Sequence, residues 1–193
     1  MHTDRATRLQ PVHLNEADDG ALAREARSDP QAFTQLYGLY LDRVYRFILL
    51  RTGNVDDAQD LTSQTFLAAL ESVQKYDGRG SFGGWLFGIA RHKIADHYRR
   101  RRPDVPLEQA ESLHHPDPDP EEVADAHLQL ARVAQALQSL DAQQAEAVAL
   151  RIFGELDAGE VGQVMGKSEG AAKMLVHRGL NKLRTRFSLE VSR

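Results

Sequence analysis

The stretch from Arg79 to Arg102 reads RGSFGGWLFGIARHKIADHYRRRR and joins an apolar helical face to a positively charged end. Its large apolar residues recur at intervals of three and four, the spacing that lines one face of an α-helix. These residues are Phe82, Trp85, Leu86 and Ile89. Because such a face must be covered by other apolar side chains, the stretch predicts a helix, opened by Ser81, that packs on further helices.

The same stretch concentrates positive charge toward its C-terminal end. Its cations, which Asp96 alone opposes, are Arg91, Lys93 and Arg99 to Arg102. Cations complement the dipole at a helix C-terminus, but one or two side chains are enough for that. A cluster of this density is typical of a surface that binds a polyanion, and nucleic acid is the leading candidate. A solvated basic helix end is the alternative.

The composition excludes several classes of protein. The chain has 193 residues, no cysteine and a formal net charge of -4. Without cysteine there is no disulfide, no thiolate nucleophile and no cysteine zinc site. No apolar run approaches the roughly 18 residues that a membrane span needs, and the N-terminus lacks an apolar signal segment. We therefore expect a cytoplasmic protein without membrane insertion, folded as one domain or two small ones.

Residues 21–102 are predicted to form a first helical domain, preceded by a flexible tail of residues 1–20 that lacks periodicity. Ser28-Asp29-Pro30 is a typical helix start, and Gly53-Asn54 ends that helix and caps the next. The second helix runs to about Val73. Its predicted inward face consists of Leu61, Thr65, Ala69 and Val73, with Phe66 and Leu70 beside them. Its outward face carries Asp57, Asp60 and Gln64.

The composition changes abruptly after Arg102. Residues 103–126 include five prolines and eight acidic residues but no lysine or arginine. Proline keeps such a chain extended and its charges keep it solvated, so we expect an acidic linker that separates two domains. His114 and His115 lie beside Asp117 and Asp119, but adjacent histidines without a fixed frame match no familiar ligand spacing. No metal site and no cofactor are predicted.

Residues 127–187 are predicted to form a second helical domain, followed by a tail of residues 188–193. Asp157-Ala158-Gly159-Glu160 has the form of a capping box that starts a short helix. Gly166 supplies a turn, and Ser168 can cap a final helix. A short helix, a glycine turn and a longer helix form a helix-turn-helix. The predicted inward face of the last helix consists of Ala172, Val176, Gly179 and Leu183.

The opposite face of that last helix suits the major groove of DNA. Small residues at its start, Gly170 and Ala171, permit close approach to base edges. Arg178 has the donors to engage a guanine, and His177 or Asn181 can hydrogen bond to bases. The same face and its flanks include Lys173, Met174 and Lys182. A helical hairpin with a solvated basic face is the alternative.

Two basic helical units with an acidic linker between them resemble bacterial RNA polymerase sigma factors of the extracytoplasmic-function (ECF) subfamily. The resemblance extends from about Leu22 to Phe187. DLTSQTFLAAL at 60–70 is similar to the family's core-polymerase-binding helix, usually DLVQETF. Residues 80–102 look like its promoter-melting helix. GKSEGAAKMLVHRGLNKLR at 166–184 is similar to its recognition helix, often SEGTVKSRLHRA.

The resemblance implies an all-α, non-catalytic protein that binds core RNA polymerase, through the β and β′ subunits, and promoter DNA. It implies contacts with the polymerase through Asp57, Asp60 and Gln64. It implies contacts with the minus-ten element through Tyr76, Arg79, Phe82, Arg91, His92, Arg99 and Arg100. It implies contacts with the minus-thirty-five element through Lys173, Met174, His177, Arg178 and Lys182. Because the family is often restrained by an anti-sigma protein, such a partner is expected too.

Four residues at or beside predicted contact positions depart from the family pattern. Gln64 stands where Glu is usual, His92 where Asn is common, and Met174-Leu175 where Ser-Arg is usual. The first difference affects an ionic contact with the polymerase clamp, and the second affects the preferred minus-ten sequence. The third removes one contact with DNA.

Two other functions compete with this interpretation. A conventional helix-turn-helix regulator would bind an operator through the C-terminal unit, while the N-terminal helices dimerise or sense a ligand. A hydrolase would use His92, Asp96 and His97, but these lie on a basic helix without a recognisable nucleophile motif.

Overall fold

The computed structural model describes residues 16–78, 80–100, 136–137 and 139–191. These ranges contain seven α-helices and one short 3-10 turn. The helices are α1 (Glu16–Glu25), α2 (Pro30–Thr52), α3 (Val55–Ser72), α4 (Phe82–Arg100), α5 (Ala142–Ile152), α6 (Ala158–Met165) and α7 (Glu169–Val191). The 3-10 turn, Val73–Lys75, follows α3. No strand occurs in these ranges, and the predicted all-α fold is confirmed. The predicted linker, 103–126, and the tail at 1–15 lie outside the described residues.

Helices α2 and α3 begin at predicted capping residues, and α2 ends at the predicted glycine. The Asp29 carboxylate accepts a hydrogen bond from the backbone amide of Gln31 at 2.8 Å, at the start of α2. Gly53 ends α2 in the left-handed conformation, and the Asn54 side chain accepts from the amide of Asp57 at 2.9 Å. These contacts satisfy backbone groups that have no partner inside a helix. Local chemistry therefore sets the helix boundaries.

Helix α1 begins at Glu16, inside the segment that the sequence pattern assigned to a flexible tail. Asp19 is buried, and its carboxylate accepts a hydrogen bond from the hydroxyl group of Tyr40. Burial, together with this bond to Asp19, raises the pKa of Tyr40 well above its usual value. Residues 16–20 therefore belong to the folded unit. The apolar pattern missed them because their anchor is polar.

The predicted helix-turn-helix is formed by α6 and α7. Both hydrogen bonds of the capping box between Asp157 and Glu160 are present at the start of α6. Gly166 ends α6 with a φ of 66°, a left-handed conformation that glycine adopts without strain. A Cβ added at Gly162 would lie 2.8 Å from the carbonyl oxygen of Lys167. Glycine at 162 therefore lets the turn fold back closely on α6.

The apolar core runs through both halves of the chain. In the first unit, α1–α4, the rings of Phe47 and Phe87 pack edge to face with centroids 5.3 Å apart. Leu156 and Val161 of the second unit, α5–α7, belong to the same buried cluster. A Cβ added at Gly83 of α4 would lie 3.3 Å from Leu156 Cδ2. The two units, which the linker was expected to separate, therefore pack directly against each other.

Candidate nucleic-acid interface

The outward side of α3 brings two of the three predicted polymerase-binding residues together. Asp60 is exposed, and its carboxylate accepts a hydrogen bond of 2.6 Å from the Gln64 amide nitrogen. Asp57 is half-buried and points toward α4 instead, where His97 Nε2 lies 3.4 Å from its carboxylate. Asp60 and Gln64 thus present a polar pair to solvent, whereas Asp57 also links α3 to α4.

Two leucines extend this outward side, and the sequence pattern did not single them out. Leu67 is 58% exposed and Leu70 is 48% exposed. Leu70 was expected to support the core, but α3 turns it outward because α2 and α4 cover only the side that holds Leu61, Thr65 and Ala69. We call Asp60, Gln64, Leu67 and Leu70 the α3 surface. Its apolar part follows one turn after its polar part, which suits a protein partner.

Two predicted minus-ten contacts, Tyr76 and Phe82, lie in the core. Tyr76 is 2% exposed and Phe82 is 1% exposed. Their ring centroids are 5.8 Å apart, edge to face, and Tyr76 donates a hydrogen bond of 3.0 Å to the carbonyl oxygen of Gly80. Burial raises the pKa of Tyr76 above its usual value. Neither ring is available to a base in this arrangement, which corrects that expectation. The rings fill the space where the loop after α3 meets α4.

The remaining minus-ten candidates lie along α4, except Arg79, which is outside the described residues. His92 and Arg100 are exposed, and Arg99 is exposed while its guanidinium lies 2.9 Å from Asp96. Arg91 is half-buried, and its Nε lies 2.9 Å from Glu146 Oε1 of the second unit. We call Arg91, His92, Arg99 and Arg100 the α4 surface.

A cleft between α3 and α4 connects these two surfaces. It has a volume of about 200 Å³, and Asp60, Gln64, Lys93 and Arg100 are among its lining residues. A partner on the α3 surface and a polyanion on the α4 surface would therefore be bound side by side.

The predicted recognition face of α7 is open to solvent. Its exposed residues are Lys173, Met174, His177, Arg178 and Lys182, which we call the α7 surface. Ala172 and Gly179 are buried on the opposite side, as predicted. A Cβ at Gly179 would lie 2.6 Å from Val148 Cγ2, so this helix packs closely on α5. The Asn181 amide nitrogen lies 3.3 Å from His177 Nε2, which couples two potential base-contacting side chains.

The residues that join the two units were not identified from the sequence. Arg43 of α2 donates a hydrogen bond to the carbonyl oxygen of Gly154, and Ser81 donates one to the Glu160 carboxylate. The Arg91–Glu146 pair completes this set. One signal was present in the sequence: Glu146 interrupts an otherwise apolar run, AEAVAL, and is only 9% exposed. A buried carboxylate needs a partner, but nothing local shows which one.

Other kinds of site are not evident in the described part of the chain. No group of three or more His, Cys, Asp or Glu side chains there has the arrangement of a metal site. The pair His114–His115 lies outside the described residues. Among the described helices, none has the length and apolarity needed to cross a bilayer.

Comparisons with known proteins match both units. The Sigma-70 region 2 family matches residues 36–103, and the Sigma-70 region 4 family matches residues 136–185. The chain is 38% identical over 185 residues to the ECF RNA polymerase sigma factor BldN of Streptomyces coelicolor, covering 94% of this chain and 69% of BldN. It is 36% identical to the ECF sigma factor SigF of Caulobacter vibrioides, covering 96% and 97% of the two chains. The chain is an ECF sigma factor.

Solved structures support the fold of this sigma factor. The structure of CnrH in complex with the cytosolic domain of CnrY matches with a TM-score of 0.64 and 28% identity, over 89% of this chain and 97% of CnrH. The sigma factor RpoE of Bartonella quintana, in complex with the anti-sigma factor NepR, matches with a TM-score of 0.62. This match covers 83% of this chain and 98% of RpoE. Because the identity is 22%, the match supports the fold alone.

Membership of the family establishes the function at the level of the whole chain. As an ECF sigma factor, the protein binds core RNA polymerase and directs transcription initiation at promoters. This membership does not favour the conventional regulator. The family is regulatory and non-enzymatic, which does not favour the hydrolase either.

Proposed function

We propose that the α3, α4 and α7 surfaces each bind a different partner during transcription initiation. The α3 surface binds core polymerase, with Asp57 holding α3 to α4 beside it. The α4 surface, together with Arg79, holds the minus-ten strand. The α7 surface reads the minus-thirty-five element.

The observation that carries this proposal is the sidedness of α7. Its cationic and polar residues are exposed while Ala172 and Gly179 are buried on the other side. A helix of this kind, presented by a helix-turn-helix, fits the major groove. There Arg178 can donate two hydrogen bonds to a guanine, and Lys173 and Lys182 can neutralise phosphates.

The α4 surface is suited to a separated strand. Opening duplex DNA costs about 1–2 kcal/mol per base step, which contacts with the released strand can offset. With Tyr76 and Phe82 buried, those contacts come mainly from cations and from His92. Minus-ten binding should therefore depend strongly on salt, because phosphate contacts release counterions.

The remaining assignments follow from the same proposal. Residues 21–102, together with residues 16–20 of α1, form the first domain, residues 127–187 the second, and residues 103–126 the linker. The protein acts without a reaction of its own in the cytoplasm, where it meets polymerase. We also propose an anti-sigma partner, since CnrH is solved in complex with the cytosolic domain of CnrY.

A binding experiment tests the polymerase role of the α3 surface. Asp60→Ala removes an exposed carboxylate and should weaken binding to core polymerase by about tenfold, the scale of one charge-assisted hydrogen bond. Gln59→Ala changes the adjacent exposed residue on another side of α3 and should leave the affinity unchanged. Equal affinities for both variants would contradict the assignment. In-vitro transcription with reconstituted polymerase over a promoter library then defines the elements that are read.

A further inference from the structure

The centre of the exposed side of α7 can be located from two buried residues of this helix, Ala172 and Gly179. Each residue turns an α-helix by about 100°. Gly170, His177 and Asn181 therefore all point within about 30° of the direction opposite to the buried pair. His177 and Asn181 are exposed. Their side chains lie on the line of α7 that would face the floor of a major groove.

His177 and Asn181 differ in their distance from the start of α7. A recognition helix enters the major groove with its N-terminal residues toward the base edges, and Gly170 leaves room for that approach. At a rise of about 1.5 Å per residue, Asn181 lies about 6 Å farther along the helix than His177. His177 is therefore the better placed of the two to reach a base, and Asn181 is placed to act on His177.

The Asn181 carboxamide packs against the His177 ring. Its nitrogen Nδ2 lies 3.3 Å from His177 Nε2 and 3.5 Å from His177 Nδ1. Residues four apart are neighbours on a helix surface, so the contact needs no distortion of α7. One turn farther along, the Thr185 hydroxyl donates to the backbone carbonyl of Asn181 at 3.0 Å and does not compete for the carboxamide.

A carboxamide can hold an imidazole in both of its charge states, because it has a donor at one end and an acceptor at the other. Beside a neutral ring, the Asn181 NH2 group donates to the nitrogen of His177 that lacks a hydrogen. Beside a protonated ring, the carboxamide turned by 180° accepts from the same nitrogen. In each case the second ring nitrogen keeps its hydrogen and is left as a donor.

The hydrogen on that second nitrogen decides which base edges His177 can recognise. In the major groove, purine N7, guanine O6 and thymine O4 are acceptors, whereas cytosine N4 and adenine N6 are donors. A histidine without a partner can present either a donor or an acceptor, since its neutral form has two tautomers. A histidine whose other nitrogen is engaged by Asn181 presents only a donor.

We propose that Asn181 is a positioning residue that fixes His177 as a hydrogen-bond donor, and so restricts the base read by His177 to one that offers an acceptor. Asn181 itself touches no base. From helical spacing alone the two side chains were equivalent candidates, and the contact between them separates their roles. The inference rests on the proposed role of the α7 surface in reading the minus-thirty-five element.

Transcription by the reconstituted holoenzyme tests this inference with a promoter library in which each minus-thirty-five position is varied singly. The full-length variants are His177→Ala, Asn181→Ala and the double variant. We expect His177→Ala to weaken the base preference at one position. Asn181→Ala should weaken the preference at that same position, and at no other, by about threefold, the scale of one hydrogen bond. The double variant should match His177→Ala, because Asn181 acts through the ring.

Matched variants separate hydrogen bonding from side-chain size. Asn181→Gln keeps a carboxamide and should restore most of the preference. Asn181→Leu has a similar volume but no hydrogen-bonding group and should behave like Asn181→Ala. Thr185→Ala changes an exposed residue one turn farther along α7 and should leave every preference unchanged. Because Asn181 is exposed and alanine favours helices, a loss of preference in Asn181→Ala does not reflect unfolding of α7.

Any of three patterns overturns the inference. A changed preference at a different position would show that Asn181 contacts a base directly. An equal loss on all promoters would show that Asn181 contacts a phosphate. Additive effects in the double variant would show that the two side chains act independently.

The same library judges the proposed function separately. If His177→Ala and Arg178→Ala both leave every preference unchanged, the proposed reading by the α7 surface fails, and the inference fails with it. If both variants lose preference while Asn181→Ala loses none, the inference alone is overturned.

Nitrogen NMR of the free full-length chain gives a second measurement that does not depend on DNA. The ring signals that disappear in His177→Ala belong to His177, and they report which ring nitrogen carries the hydrogen. We expect Asn181→Ala to change the ratio of the two neutral tautomers by at least about twofold, since it removes a hydrogen bond to one nitrogen. An unchanged ratio would overturn the inference.

Discussion

The α4 and α7 surfaces carry the same sign of charge but differ in what surrounds them. On α7 all five surface residues are exposed, and the carboxylate near Lys182, Asp141 at 3.9 Å, belongs to the same unit. On α4, Arg91 is paired with Glu146 from the other unit. The comparison teaches that a cluster of cations in a sequence identifies a surface for polyanions but not whether that surface is available.

The difference has a structural cause. Helix α7 packs within its own unit, against α5 and α6, and leaves its opposite side free. Helix α4 instead contacts α2 and α3 on one side and α6 on another. A central helix that is packed on two sides has little free surface, and one of its cations, Arg91, therefore meets a carboxylate of the second unit.

The largest loss of stability should come from a change that disrupts the turn between α6 and α7, on which the α7 surface depends. Gly162→Val places side-chain atoms against the backbone of Lys167, which cannot move aside. We expect the free energy of unfolding of the second unit to fall by about 3 kcal/mol, measured by chemical denaturation with helicity as the signal. Gly38→Ala, where a Cβ meets no atom within 4 Å, should instead stabilise α2 slightly. A stable Gly162→Val variant would contradict the tight-turn geometry.

The next effect separates base reading from phosphate binding on the α7 surface. Arg178→Ala should cost about 1–3 kcal/mol on promoters with the preferred upstream element and less on others. Lys182→Ala, on the same surface, should weaken all promoters about equally. Competitive transcription over a promoter set measures both. A uniform loss for Arg178→Ala would exclude base reading by that side chain.

A smaller effect is expected at the exposed end of the α4 surface. Replacing Arg99 and Arg100 by Ala should reduce the slope of log affinity against log salt by about 0.7–0.9 for each phosphate that is no longer neutralised. The measurement is promoter-complex formation by the holoenzyme at several salt concentrations. Arg46→Ala on α2 removes a cation elsewhere and should leave the slope as it is. An unchanged slope in the double variant would make these arginines ordinary surface residues.

The smallest effect concerns the junction itself. Arg43→Lys removes the planar group that reaches the Gly154 carbonyl while lying over Tyr40, and should destabilise the full chain by about 1 kcal/mol. Arg46→Lys alters an exposed ion pair with Asp42, which is worth only about 0.5 kcal/mol. Thermal unfolding of both variants gives the comparison. Equal shifts would mean that the junction contributes nothing to stability.

Some features of the fold and of the site could be predicted from the sequence, and others could not. The caps at Asp29, Asn54 and Asp157 were predicted, since each depends on residues within four positions along the chain. The open side of α7 followed from helical periodicity in the same way. By contrast, Leu70 was expected beside the core but is exposed, and Tyr76, predicted to contact DNA, is buried. Periodicity says which residues share a side of a helix but not how far its neighbours extend over that side.

The sequence by itself determined the helices, the helix-turn-helix and the two concentrations of positive charge, because capping, turn chemistry and helical spacing act over short distances along the chain. Only the tertiary structure decided which of those charges are covered. Arg91 meets Glu146 across 55 positions, and Ser81 meets Glu160 across 79. Such pairs form because burial forces a carboxylate to find a partner in space, and no local pattern records where that partner is.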